Sequence, residues 1–216
     1  LTIGTPVNDG LTNPGDRKEY TFTGSVGQRI FYDGLQSDFS IATRVRLVTP
    51  SGVLLINENT DRNYGPFTLT EAGDYKLLVT GDDQTTGTFS FRVIEPTFVS
   101  QPLMIGSTIS DAITNPGDRK EYTFTGAVGQ RIFYDGLQSD FSIATRVRLV
   151  TPSGVLLINE NTARNYGPFS LTESGTYSLL VTGDDQVTGT FSFRMLEPGV
   201  APPAPFDTTI NGIIAP

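Results

Sequence analysis

The chain has no cysteine, no histidine and no tryptophan, and lysine occurs only at Lys18, Lys76 and Lys120. Without cysteine there is no disulfide, no thiolate nucleophile and no cysteine-based zinc site. Without histidine the commonest general base near neutral pH and the commonest transition-metal ligand are both missing. Ser–His–Asp catalysis, Cys–His catalysis and ordinary zinc hydrolysis are therefore excluded. No apolar run approaches the ~20 residues that a membrane helix needs, so no membrane insertion is expected. Positive charge is also scarce: the net charge is −8 and the pI about 4.5. Such a field repels a phosphate backbone, which argues against nucleic acid and anionic membrane surfaces while admitting cations, calcium above all.

What the chain has instead is itself, twice. Shifted by 102 residues, Leu1–Pro96 overlies Leu103–Pro198 without a gap, and 80 of the 96 positions are identical. Thr12–Gly24 recurs unchanged as Thr114–Gly126, and Val26–Thr60 as Val128–Thr162. A repeat of this length is a structural unit, so residues 1–97 and 103–198 are each expected to form a domain, with 98–102 as linker. Residues 199–216 begin with a Pro-rich connector (GVAPPA). They continue with a segment that resembles the opening of a truncated third repeat, the alternative being a plain tail. Pro14, Pro116 and Pro216 mark that register.

Within a unit the hydrophobic period is two throughout, the period of a half-buried strand. Lys18–Gly24 places Tyr20 and Phe22 on one face. Asp74–Val79 turns Tyr75, Leu77 and Val79 inward, and Gly87–Val93 does the same with Phe89, Phe91 and Val93. Asp74 and Lys76 become Thr176 and Ser178 in the second copy while the inward positions stay fixed, as solvent-facing sites allow. Further strands are predicted at Gln28–Tyr32, Thr43–Val48, Val53–Asn57 and Pro66–Thr70, with an edge strand near Leu1–Val7. Asn13-Pro-Gly-Asp16 has the proline and glycine of a type II turn, Thr49-Pro-Ser-Gly52 is a second proline turn, and Asp33-Gly34 marks a hairpin or bulge. No stretch has a helical period. The fold class is all-β: two tandem antiparallel β-sandwich domains of jelly-roll type.

Acidic loops and a loop aromatic are the candidate sites. Calcium takes six to eight oxygens from carboxylates and carbonyls, and Asp82 and Asp83, repeated as Asp184 and Asp185, are the best local source. Asp33 and Asp38, with Asp135 and Asp140, flank a glycine loop and could add oxygens. Solvated turns and loop caps are the plainer use of all eight. Tyr64 and Tyr166 could stack on a sugar ring, or plug the end of the sandwich. Arg44, Arg46 and Arg92 could form a basic stripe on an outer sheet face, cross-strand pairing with Glu or Asp being the plainer use. Asp16 with Glu19 makes a poor catalytic pair beside a turn. A Ser–Lys site would not survive the change of Lys76 to Ser178 between near-identical copies. No cofactor is required, and no catalytic residue is assigned.

The order P-G-D-x-x-x-Y-x-F-x-G-x-x-G-Q-x-I-x-Y-D (Pro14–Asp33), P-S-G (Pro50–Gly52), G-D-Y-K-L-L-V (Gly73–Val79) and T-G-T-F-S-F (Thr86–Phe91), repeated 102 residues later, resembles the bacterial pre-peptidase C-terminal (PPC) family. It is most similar to the variant repeated in very large extracellular proteins. The resemblance implies a small calcium-tolerant jelly roll attached to secreted peptidases, collagenases and adhesins. An acidic strand that many such domains carry before the P-x-G turn is Ala42–Val48 here, with Arg44 and Arg46 in place of acids. The expectation is a non-catalytic, secreted or cell-surface spacer or adhesion unit whose partners are neighbouring repeats. Binding of polysaccharide or extracellular matrix is the alternative, and a third reading is an accessory domain of a secreted peptidase.

Overall fold

The computed structural model describes residues 1–38, 43–82, 85–140, 145–183 and 187–199. Unit 1 contains β1 (Val7–Leu11), β2 (Arg17–Gly24), β3 (Arg29–Ser37), β4 (Thr43–Val48), β5 (Leu54–Asn59), β6 (Tyr64–Thr68), β7 (Gly73–Gly81) and β8 (Gly87–Ile94). After β9 (Phe98–Pro102), unit 2 repeats the series. It contains β10 (Thr108–Ile113), β11 (Arg119–Gly126), β12 (Arg131–Ser139), β13 (Thr145–Val150), β14 (Leu156–Asn161), β15 (Tyr166–Ser170), β16 (Gly175–Gly183) and β17 (Gly189–Leu196). The described residues form no helix.

The strands pair as a long hairpin rolled on itself. β1 pairs with β8, β2 with β7, β3 with β6 and β4 with β5, all antiparallel. Pairing of β3 with β8 and of β4 with β7 then closes two sheets, ordered β1-β8-β3-β6 and β2-β7-β4-β5. This is jelly-roll order. Unit 2 repeats it as β10-β17-β12-β15 and, with one additional strand, β14-β13-β16-β11-β9.

The period-two positions meet between the sheets. Leu11, Ile30, Tyr32, Phe89, Phe91 and Val93 from one sheet face Phe22, Val45, Leu47, Ile56, Tyr75, Leu77 and Val79 from the other. Aromatic rings carry much of the contact: Phe22 stacks on Tyr75, Tyr32 on Phe91, and Tyr20 meets Phe91 edge-on. Unit 2 reproduces all three contacts. The hydroxyls of the core residues Tyr32 and Tyr75 find acceptors, as burial demands. Tyr32 donates to Thr60 O (2.9 Å) and Tyr75 to Glu71 O (2.9 Å). Asp74 and Lys76 face solvent as expected.

The predicted turns hold as well. The N–H of Asp16 bonds Asn13 O (3.0 Å), and Gly15 takes the positive φ of 83° that position i+2 of a type II turn requires. The Asp16 carboxylate locks this turn by accepting from the N–H groups of Thr12 and Asn13 (2.9 and 2.8 Å). Asp33-Gly34 marks a bulge rather than a hairpin, since the β3·β8 register shifts between Gly34 and Gln36. Gly34 also allows a close approach: a Cβ there would lie 2.6–2.7 Å from backbone atoms of Thr60, Asp61 and Arg62.

Two expectations shift. The edge strand predicted near Leu1–Val7 lies at Val7–Leu11 instead. Leu1–Thr5 is a turn, held by bonds from the Leu1 amine to Thr21 O (2.6 Å) and from Gly4 N–H to Val93 O (2.7 Å). Residues 98–102, predicted as linker, are β9, which lies parallel to β11 and extends the sheet of unit 2. Phe98 and Val99 carry the side chains of a strand, and the free edge of β11 offers them a ladder.

Candidate functional site: the joint between the units

The acids singled out in the sequence are held by protein donors where they are described. Asp33 sits opposite Arg92 across β3 and β8 and pairs with it at 2.7 Å, and Asp135 pairs with Arg194 at 2.6 Å. Asp38 accepts from the N–H (3.1 Å) and hydroxyl of Thr88, and Asp140 from those of Thr190 (3.1 Å to the N–H). These bonds lower the pKa of both acids. Asp82 pairs with Arg44 at 3.3 Å. Asp83, Asp184, Asp185 and the segment 200–216 lie outside the described residues. Among the described residues no three acids converge as metal ligands. Arg44 and Arg92 thus pair with acids as read from the sequence. Arg46 instead reaches the Asn57 carboxamide oxygen (3.2 Å) and the Thr80 hydroxyl (3.5 Å).

Tyr64 and Tyr166 are half-buried at the edge of each core, with ring centroids 6.2 and 5.9 Å from those of Tyr32 and Tyr134. A shallow groove of about 330 Å³ opens beside β1 and β8, lined by Asn8, Gln36, Thr88 and Ser90. Its counterpart of about 400 Å³ is lined by Ser110, Gln138, Thr190 and Ser192. The acid beside each is already taken. Asp9 accepts from the Tyr20 hydroxyl (2.7 Å) and pairs with Lys18 (3.1 Å), and Asp111 does the same with Tyr122 (2.8 Å) and Lys120 (3.3 Å).

The most developed contact outside the two cores is the joint between them. Phe31 and Ile94 are neighbours across β3 and β8, on the outer face of the sheet, and neither belongs to the core of unit 1. Both are nonetheless buried, at 0% and 4% exposure. Against Phe31 lies the turn Asn115–Asp118 of unit 2, with Pro96 beside it. A Cβ placed on Gly117 would be 3.1 Å from Pro96 and 3.6 Å from Phe31, so the turn backbone packs closely against both. Pro96, Pro116 and Asp118 are buried in the same contact.

Hydrogen bonds fix its register. The Asp118 carboxylate, 2% exposed, closes its own turn by accepting from Asn115 N–H (2.8 Å) and also accepts from Thr97 N–H (2.6 Å). Arg119 N–H donates to Thr97 O (2.8 Å), and from that point β9 runs beside β11. The Arg119 guanidinium lies 5.3 Å from the centroid of Phe98, near enough for a cation–π contact. Arg29 of unit 1 faces this cluster. Burial lowers its pKa first and the like charge of Arg119 second, while Asp118 opposes both. The carboxylate of unit 2 therefore favours the Arg29 charge across the joint.

The joint was missed in the sequence although a signal exists. In Ile30-Phe31-Tyr32 the alternation breaks, and three consecutive apolar residues in a strand imply burial on both faces. Val93-Ile94 is a second such break on the paired strand.

No family model matches the chain, and no curated protein does. Among solved structures, the CUB1-EGF-CUB2 region of human MASP-1/3 is similar at 11% identity and a TM-score of 0.24, over 88% of this chain and 99% of that one. The corresponding domains of rat MASP-1 show 10% identity and a TM-score of 0.25, over 88% and 97%. The full extracellular region of zebrafish Gpr126/Adgrg6 shows 10% and 0.22, over 91% of this chain and 36% of that one. These likenesses assign neither family nor function, and the jelly-roll assignment stands on strand order alone.

Proposed function

We propose that the chain is a pair of non-catalytic, PPC-like modules from a large secreted or cell-surface protein, acting as a stiff spacer or adhesion unit. The observation that carries this reading is the joint. A turn, a proline and two outward apolar side chains interlock where flexible linkage would leave them in water. A spacer works by holding its length, and a buried, hydrogen-bonded joint resists bending in a way a free linker does not. The absence of histidine and cysteine removes the usual catalytic groups. The test is NMR relaxation of the intact chain: both units tumble with one correlation time, and Phe31→Asp separates them into two faster ones. Independent tumbling of the unaltered chain would defeat the proposal.

Binding of polysaccharide or matrix protein is a second reading, supported by the groove that recurs in both units with hydroxyl and carboxamide linings. A glycan array probed with the intact pair tests it. Calcium, which the acidic turn at Asp82 would take as an optional ligand, is tested by calorimetry. A rise in melting temperature with the ion supports that role, and an unchanged one ends it.

A further inference from the structure

Both halves of the joint occur a second time in the chain, and among the described residues the second pair is not joined to anything. The receiving half recurs on unit 2: Phe133 lies opposite Leu196 across β12 and β17, as Phe31 lies opposite Ile94. Phe133, Leu196 and Pro198 are only half-buried, whereas Phe31, Ile94 and Pro96 are buried. The entering half recurs on unit 1. Asn13-Pro-Gly-Asp16 has the sequence of Asn115-Pro-Gly-Asp118, and Gly15 has a φ of 83° where Gly117 has 82°. Nothing lies within 4 Å of a Cβ on Gly15, and Pro14 is exposed where Pro116 is buried.

We propose that the Phe133–Leu196 face is a docking surface for the Asn-Pro-Gly-Asp turn of a further unit, and that a second copy of this chain, entering with Asn13–Asp16, occupies it head to tail. The occupant follows from continuity with the joint already built. The turn that meets Phe31 inside the chain recurs on unit 1 in the same sequence, with the same positive φ at its glycine and the same turn hydrogen bond. A surface and its complement at different places on one molecule make a heterologous, head-to-tail contact, which builds a ring where its rotation closes and an open filament where it does not. This deepens the spacer reading and rests on it: the joint becomes a repeated connector. Inside the chain the linker supplies an effective concentration on the order of millimolar, so docking between separate molecules is weak and concentration-dependent.

The absence of tryptophan makes a direct test possible. Phe133→Trp places one indole on the free face, and Phe31→Trp places one in the occupied joint as reference. Labelled at trace level and titrated with unaltered chain up to about millimolar, the Phe133→Trp protein should shift its emission to the blue, closing most of the gap to the Phe31→Trp spectrum. Titration with the Gly15→Val chain should leave it unmoved. No shift with unaltered chain, or an equal shift with Gly15→Val, overturns the proposal. So does an emission that already matches the reference at the lowest concentration, since the face would then be covered within one molecule. Each of these results leaves the single correlation time of the pair untouched, so this inference can fail while the spacer reading stands.

Discussion

Phe31 and Phe133 occupy the same place in two strands of identical sequence, Arg-Ile-Phe-Tyr-Asp-Gly-Leu-Gln-Ser, yet the first is fully buried and the second half-exposed. The same contrast separates Pro116 from Pro14 and Asp118, at 2% exposure, from the half-buried Asp16. It also separates Tyr122, at 0% exposure, from the half-buried Tyr20: β9 pairs with the outer edge of β11, whereas β2 has β7 on one side and, among the described residues, no strand on the other. Inside the two sandwiches nothing comparable occurs: Leu77 and Leu179, Phe91 and Phe193, and Val45 and Val147 are all at 0% exposure. The units thus agree wherever a residue's surroundings come from its own unit. They differ where those surroundings come from the neighbour.

This contrast can be broken or sharpened by paired substitutions read in the unfolding of the intact chain. The largest difference is expected for Phe31→Ala against Phe133→Ala. Truncating a fully buried phenylalanine costs about 3–5 kcal/mol, and the half-exposed copy should lose less than half as much. Equal losses would show that the joint contributes nothing. Asp118→Ala comes next, since it leaves the Thr97 and Asn115 N–H groups without their acceptor at a cost of about 1–3 kcal/mol. Asp16→Ala should fall well below it, because the hydrogen bonds of that turn are open to water, which can replace the lost acceptor. Gly117→Ala against Gly15→Ala is smaller still. Both carry the left-handed backbone cost of about 1 kcal/mol, and only Gly117 adds the contact with Pro96, so a small excess on that side is predicted.

The smallest contrast concerns pH, where the units should match. The hydrogen bond from Tyr20 lowers the pKa of Asp9. In Asp111 burial acts the other way but is outweighed by the bonds from Ala112 N–H, Tyr122 and Lys120. A carboxylate lowered in the folded state contributes stability above its unfolded value of 3.8, and that contribution is lost as the pH falls below it. Burial raises Tyr32 and Tyr134 far above the ordinary phenol value of 10.0, so their contribution holds below that value and is lost above it. With no histidine to titrate between these limits, melting temperature should be flat from about pH 5 to 9 and fall outside that window. A step near pH 6.5 would contradict it.

The strand pattern was legible because burial inside a sandwich is a local property of alternation. Tyr75, Leu77 and Val79 follow from period two alone, and the Asn13-Pro-Gly-Asp16 turn follows from what proline and glycine permit. The pairing of Arg92 with Asp33 was anticipated only as a type of contact, since the partner lies 59 residues away and is brought opposite by the β3·β8 register. Strand character at Phe98–Pro102 was overlooked. Its ladder depends on a free edge of β11, which no window of sequence displays.

The amino-acid sequence by itself determined two like units, their all-β character and the inward faces of their strands, because side-chain direction alternates with every residue whatever the surroundings. The tertiary structure alone decided the order 1-8-3-6 and 2-7-4-5, the capture of β9 by unit 2 and the different fates of Phe31 and Phe133. Those depend on which surface arrives from elsewhere in the chain. Two identical stretches cannot encode different neighbours; only their positions in the folded molecule can.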